Sequence, residues 1–165
     1  MGSSRSSQRG EWVLLVYRLP REPSRPRIAV WRKLERLGVA RLGDGLVALP
    51  ADARTREHVD WIAEEITEAG GTATIWISVP GSVAQEREIA AAMQAARAAE
   101  YQAIIAQTVA AAGSAERDRT RLLRSLRAEL RRVGRRDYFP PAERDRARFA
   151  VEALSTVELA SEVRA

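Results

Sequence analysis

The chain has 165 residues, 45% of them hydrophobic, which is enough for one ordinary domain with a helical extension. It has no cysteine and one histidine, His58, so disulfides, thiolate metal sites and a cysteine nucleophile are excluded, and little remains for a metal cage or a catalytic triad. The net charge is +5 and Lys33 is the only lysine, so the basic surface is almost all arginine, a side chain suited to bidentate contact with phosphate or carboxylate; GC-rich coding produces the same bias.

Residues Met1 to Gly10 are rich in Ser, Arg and Gly and read as a disordered arm without a hydrophobic signal core. No later run approaches the ~20 apolar residues that span a bilayer, so a cytoplasmic protein with no membrane partner is expected. Trp12 to Leu19 is an apolar run with β-branched and aromatic residues. Successive side chains of a strand point to opposite faces, so both faces here need cover and the strand is predicted to be central. Pro20, Pro23 and Pro26 stop it, and Pro26 falls where a first helical turn tolerates a missing N–H.

Arg27 to Leu37 is predicted to be a helix, with Ile28, Trp31, Leu34 and Leu37 on its apolar side and Arg27, Arg32, Lys33 and Arg36 mostly opposite, ended by Gly38. Val39 to Leu42 and Leu46 to Leu49 are short strands joined through Gly43-Asp44-Gly45, a sequence suited to a tight hairpin. Asp52 to Ala69 returns to helical spacing, with Val59, Ile62, Ile66 and Ala69 inside and Glu57, Glu64, Glu65 and Glu68 outside. Thr72 to Val79 then alternates, placing Ala73, Ile75, Ile77 and Val79 on one face and Thr72, Thr74, Trp76 and Ser78 on the other. The order is βαββαβ, so residues 11–80 are predicted to form an α+β, ferredoxin-like sandwich with the first and third strands central and the second and fourth at the edges.

Beyond Pro80-Gly81 strand signals cease, and residues 81–165 read as a helical extension packed on the sheet. Val83 to Ala112 is a long Ala-rich helix whose larger apolar groups are Ile89, Met93, Tyr101, Ile104, Ile105 and Val109. Ser114 can cap the next helix, Ala115 to Val133, where Leu122, Leu126, Leu130 and Val133 form one stripe and Arg117, Arg121, Arg124, Arg131 and Arg135 fall on the other side. A last helix opens at Pro140-Pro141, with Phe149, Ala153 and Val157 directed inward.

Three kinds of chemistry are tested against these elements. The carboxylates Glu57, Glu64, Glu65 and Glu68 share a solvated face, and His58 has no second His or Cys with which to hold a metal, so neither supports catalysis. Gly43-Asp44-Gly45 lacks the remaining glycines of a phosphate loop and precedes a strand, which makes it a hairpin turn. Trp12 or Trp76 on an open sheet face can stack bases, yet the third strand carries no aromatic, and burial under the C-terminal helices or in a dimer interface is the expected fate of that face. The arginine side of the second C-terminal helix is the best functional candidate: like charges on one helical face repel by tenths of a kcal/mol per pair and invite an acidic partner, although such a run is also ordinary solvated surface. A second basic cluster, Arg21, Arg25, Arg27, Arg32 and Arg36, surrounds the first helix.

The strand ending in Leu19-Pro20, the Arg27…Trp31…Leu34…Leu37-Gly38 helix, the Gly-Asp-Gly hairpin closing on Leu49-Pro50, and Asp137-Tyr138-Phe139 together resemble the N-terminal region of the ChrB family of chromate-resistance regulators, over most of residues 11 to 159. The first half is similar, more distantly, to the Cas2-like domain of PaaX-type repressors. A related nuclease uses a carboxylate on its first strand, and Trp12 to Pro20 contains none, which argues against that chemistry. The resemblance implies a transcription regulator that answers to an oxyanion effector, chromate, and acts on promoter DNA as a homodimer, without catalysis and without a cofactor. Its DNA contacts are expected from Arg27, Arg32, Arg36, Arg117, Arg121, Arg124, Arg131 and Arg135. The alternative is a non-catalytic protein-interaction or dimerisation module. Family members with the full architecture carry a second, C-terminal domain, so a chain ending at Ala165 is read as a truncation or as a stand-alone relative.

Overall fold

A computed structural model describes residues 9–111 and 113–162, with side chains through Ser155. The elements run β1 (Trp12–Arg18), α1 (Ser24–Leu37), β2 (Ala40–Gly43), β3 (Leu46–Pro50), α2 (Ala53–Glu68), β4 (Thr72–Ser78), α3 (Val83–Ala111), α4 (Glu116–Gly134) and α5 (Glu143–Glu162). The class is α+β, and none of the described helices is long and apolar enough to cross a membrane. Of the expected N-terminal arm, residues 1–8 lie outside the described residues, as do Ala112 and the side chain of Val157. Arg9 Nη1 donates to the carbonyls of Pro80 and Gly81, both at 2.8 Å. The chain divides into two compact units, the first ending at Met93 and the second starting at Gln94, inside α3.

In the first unit the sheet order is β2-β3-β1-β4, and each neighbouring pair is antiparallel. The first and third strands are therefore central and the second and fourth are edges, the placement that their apolar content predicts. Register pairs Val13 with Leu49 and Ile77, and Leu15 with Val47 and Ile75, so these residues share a face. That face carries the core: Val13, Leu15, Val47 and Leu49 are buried together with Val30 and Leu34 of α1 and Val59, Ile62 and Ile66 of α2. On α1 the buried residues are Val30 and Leu34, whereas Ile28, expected inside, is exposed. Ile28 lies about 160° from Val30 at 100° per residue, so it cannot share the buried side with Val30.

The other face is covered at one end. Trp12 is buried, its Nε1 donating to Glu86 Oε1 at 3.2 Å, and a 180 Å³ cleft beside it is lined by Leu14, Leu42 and Ala48 with Gln85 and Ile89 from the first turns of α3. Leu42 at that cleft is still partly open, and away from that end Val16 and Trp76 are exposed, Trp76 at 58%. Of the two tryptophans considered for this face, the structure buries one and leaves the other open.

Gly45 has φ of 70°, and a Cβ there would come within 2.3 Å of the Tyr17 carbonyl oxygen. Its own carbonyl accepts from the Tyr17 N–H at 2.7 Å, so the hairpin turn docks against the end of β1, where only glycine fits.

The second unit has its own core, made by Tyr101, Ile104 and Ala111 of α3, Leu123, Leu126 and Val133 of α4, and Ala147, Val151 and Leu154 of α5. The expected inner row of α5 is corrected here, since Phe149 and Ala153 are both exposed. Phe149 is 75% exposed, because Ala147, Val151 and Leu154 at i, i+4 and i+7 set the inner side and Phe149 falls about 200° from Ala147. Val109 is 71% exposed, and the neighbouring Thr108 is buried in its place, its hydroxyl donating to the Ile105 carbonyl at 2.7 Å.

The entry to α2 is a capping box. The Thr55 N–H donates to Asp52 Oδ1 at 2.7 Å, the Asp52 N–H donates to Thr55 Oγ1 at 2.9 Å, and the fully buried Thr55 hydroxyl reaches the Pro50 carbonyl at 2.7 Å, tying the helix to the end of β3. The Thr55 N–H, followed by further hydrogen bonds and nearby Arg54, holds the Asp52 carboxyl below its ordinary pKa. Asp52→Ala is expected to cost about 1 kcal/mol in urea unfolding at neutral pH. Since the folded state lowers this pKa, the contribution is complete above the ordinary carboxylate value and is lost as pH falls through the folded one, so wild type and variant should converge in acid.

Candidate functional site

The arginines of α4 are set by helical period. At about 100° per residue, Arg117, Arg121, Arg124, Arg131 and Arg135 fall within roughly 80° of one another, along ~27 Å of axis. All five are exposed, and none makes an ion pair among the described residues. The acidic residues of the helix stand elsewhere: Glu116 and Asp118 are in the first turn, where they suit the helix dipole, and Glu129 is engaged by Arg132. The apolar side is less clean than its leucines suggest, because Arg119 is buried there beside Leu123 and Leu126, with Nη1 3.5 Å from the Ser114 carbonyl oxygen.

On α1 the structure does not gather the three expected arginines. Arg27, Arg32 and Arg36 are all exposed, but Arg27 lies about 140° from Arg32 around the helix. Arg25 joins Arg32 and Arg36 on the solvent side instead. Beside them, Arg36 and the Lys33–Glu65 ion pair border a 270 Å³ groove that contains His58 and the exposed Trp61, whose rings meet edge to face at 5.8 Å. The guanidinium of Arg41 stacks over the Trp31 ring at 4.4 Å.

Sequence reading missed a second arginine grouping. Arg127 and Arg131 of α4, together with Arg144 and Arg148 of α5, line one 440 Å³ cleft whose wall is formed by Tyr101 and Leu130. The signal was present as two i,i+4 arginine pairs on separate helices, but the sequence does not show that the helices turn them toward each other. Tyr101 is fixed at the base of this region. Its hydroxyl donates to Asp137 Oδ2 at 2.9 Å, and burial, assisted by Asp137, pushes its pKa well above the ordinary phenol value. Arg136 and Arg97 both engage Glu100 nearby on α3.

A family model described as Protein ChrB, N-terminal, matches residues 27–120, more than half of the chain. The chain belongs to this family. Membership gives it the setting of a chromate-resistance regulator-type protein. The matched span holds the Arg27–Gly38 helix and the Gly-Asp-Gly hairpin and ends in the first turns of α4, so Leu19-Pro20 and Asp137-Tyr138-Phe139 lie outside it. No curated protein and no solved structure matches the chain.

Tyr101→Phe removes the donor to Asp137 and is expected to destabilise the protein by about 1–3 kcal/mol in urea unfolding. Because folding raises the phenol pKa, the stabilisation it reports is complete below the ordinary tyrosine value and is lost as pH rises toward the folded one. The alkaline loss of stability should be smaller in the variant.

Proposed function

We propose that this protein is a DNA-binding transcription regulator of the chromate-resistance type, which grips duplex phosphates by arginine and performs no catalysis. The observation that carries the reading is the α4 stripe: Arg117, Arg121, Arg124, Arg131 and Arg135 are exposed along one side of a helix without ion pairs among the described residues. Guanidinium groups arranged in this way neutralise phosphates and release counterions, which gives affinity without reading bases. Arg32 and Arg36 on α1 are further phosphate contacts in this reading, with Arg27 a separate one. Family membership supports the regulatory setting; in this reading promoter DNA is the partner, chromate is the oxyanion effector and the location is cytoplasmic. The sheet order and its antiparallel pairing favour the ferredoxin-like arrangement for the first unit.

A second reading, a dimerisation module, is favoured by one observation: Val16, Leu42 and Trp76 leave apolar surface open on the sheet face opposite α1 and α2. Homodimerisation through this face is compatible with the first reading. Light scattering of wild type and Trp76→Ser tests it, with a dimer for the former and a monomer for the latter expected.

The duplex reading is tested by fluorescence anisotropy on promoter DNA against salt. Replacing Arg117, Arg121 and Arg124 together by Gln is expected to weaken binding at low salt and to reduce the slope of log K against log salt by roughly 2–3, at ~0.9 per phosphate contact. An unchanged slope removes α4 from the interface, and no binding by wild type at low salt removes the reading altogether.

A further inference from the structure

The two edges of the sheet are finished differently. β2 is four residues long, its register with β3 shifts between Arg41 and Gly43, and it carries a charged side chain; shortness, irregularity and charge are what keep an edge from pairing with another chain. β4 has none of these. Its seven residues, Thr72–Ser78, pair with β1 without a shift and include no proline and no charge, in a chain of which 30% is charged. Trp76 on one face of it and Ile77 on the other are exposed, and no described strand lies beyond it.

Which backbone groups of β4 are free follows from the ladder. On β1 the Tyr17 N–H donates to the Gly45 carbonyl and the Glu11 carbonyl accepts from the Ala51 N–H, so its odd-numbered residues serve the β3 side. Residues alternate along an antiparallel strand, and the even ones therefore serve β4. Through the register they hold Thr72, Thr74, Trp76 and Ser78, which leaves the N–H and C=O of Ala73, Ile75 and Ile77 directed outward. None of these three has a backbone partner on that side among the described residues. The occupant they fit best is the same strand of another copy. Turned about a two-fold axis at Ile75, a second β4 sets Ala73 opposite the partner's Ile77, Ile75 opposite the partner's Ile75 and Ile77 opposite the partner's Ala73, and each pair can exchange both of its hydrogen bonds. Between them Trp76 meets the partner's Thr74, an aromatic against a β-branched residue, and no like charges meet along the strand although the chain carries +5. We propose that two copies of this protein join edge to edge through β4, antiparallel about Ile75, into one continuous sheet. This surface differs from the open sheet face of the dimerisation reading and stands without it.

Light scattering of the whole chain over a range of concentrations, joined to amide hydrogen exchange followed by NMR, tests it. A dimer is expected, with protection of the Ala73, Ile75 and Ile77 amides rising as the dimer fraction rises. Ile75→Pro removes an outward N–H and no bond to β1, a change that an edge strand tolerates. It is expected to weaken association at least about tenfold with an unchanged far-ultraviolet circular-dichroism spectrum. In this arrangement Trp76→Ser loses only a cross-strand side-chain contact and the dimer persists, whereas contact through the sheet face loses it. A monomer at every concentration overturns the proposal, as does a wild-type dimer in which those three amides exchange as fast as in the monomer, or a folded Ile75→Pro variant that dimerises as well as wild type. Where the proline variant unfolds, the exchange measurement on wild type decides. A dimer kept in Ile75→Pro and lost in Trp76→Ser assigns the contact to the sheet face, so failure of this proposal and failure of that reading are told apart.

Discussion

A strand that is apolar on both faces must be covered twice, and β1 imposes that requirement on the first unit. Val13 and Leu15 are met by α1 and α2, which gives the sheet its helical layer and its core. Trp12 and Leu14 point the other way, and the chain answers with the first turns of α3, where Glu86 accepts from the buried indole and Ile89 lies in the adjoining cleft. Cover stops there. The remaining apolar positions further along the sheet, Val16 and Trp76 among them, are exposed. The same constraint explains why Gly10 is held, since its N–H donates to the carboxylate that accepts from Trp12.

The second unit solves a different problem. A helix as rich in arginine as α4 gains little from packing its charged side, so its stability rests on a narrow apolar seam of Leu123, Leu126 and Val133 against α3 and α5. Long arginine stems spread over such a surface while keeping their guanidinium groups in water, so exposing them costs little solvation. Uncompensated charge on the outside is thus tolerated by the fold, and retaining it there makes sense when something negative is to be met.

Much of the fold was legible because it rests on period. The hydrophobic alternation of β4, the helical spacing of α2 and the turn glycines each state a local rule that the structure obeys. What failed did so where two apolar rows competed on one helix. Phe149 and Ala153 formed a plausible row on α5, but the competing row Ala147, Val151 and Leu154 sits inside, and local spacing alone does not decide between them. Ile28 lost to Val30 on α1 for a related reason, since only the packing direction of the sheet decides between them. The α4 arginines were legible since they lie on one element. The cleft was not, because Arg127 and Arg131 are brought to Arg144 and Arg148 by tertiary packing, which no local pattern encodes.

Arg131 lies at the meeting point of the two arginine groups, and their settings differ in a way that ionic strength exposes. The stripe is open to solvent, so its attraction for phosphates is screened over a Debye length of about 8–10 Å at ordinary salt. In the cleft Arg144 Nε is excluded from water while Arg127, Arg131 and Arg148 are exposed, so only the Arg144 end is shielded from the ions of the bulk. Sodium chloride should therefore weaken contact of the stripe with a long polyanion steeply. One helix thereby carries arginine both along its open side and at its seam with α5, and Arg131 belongs to both groups.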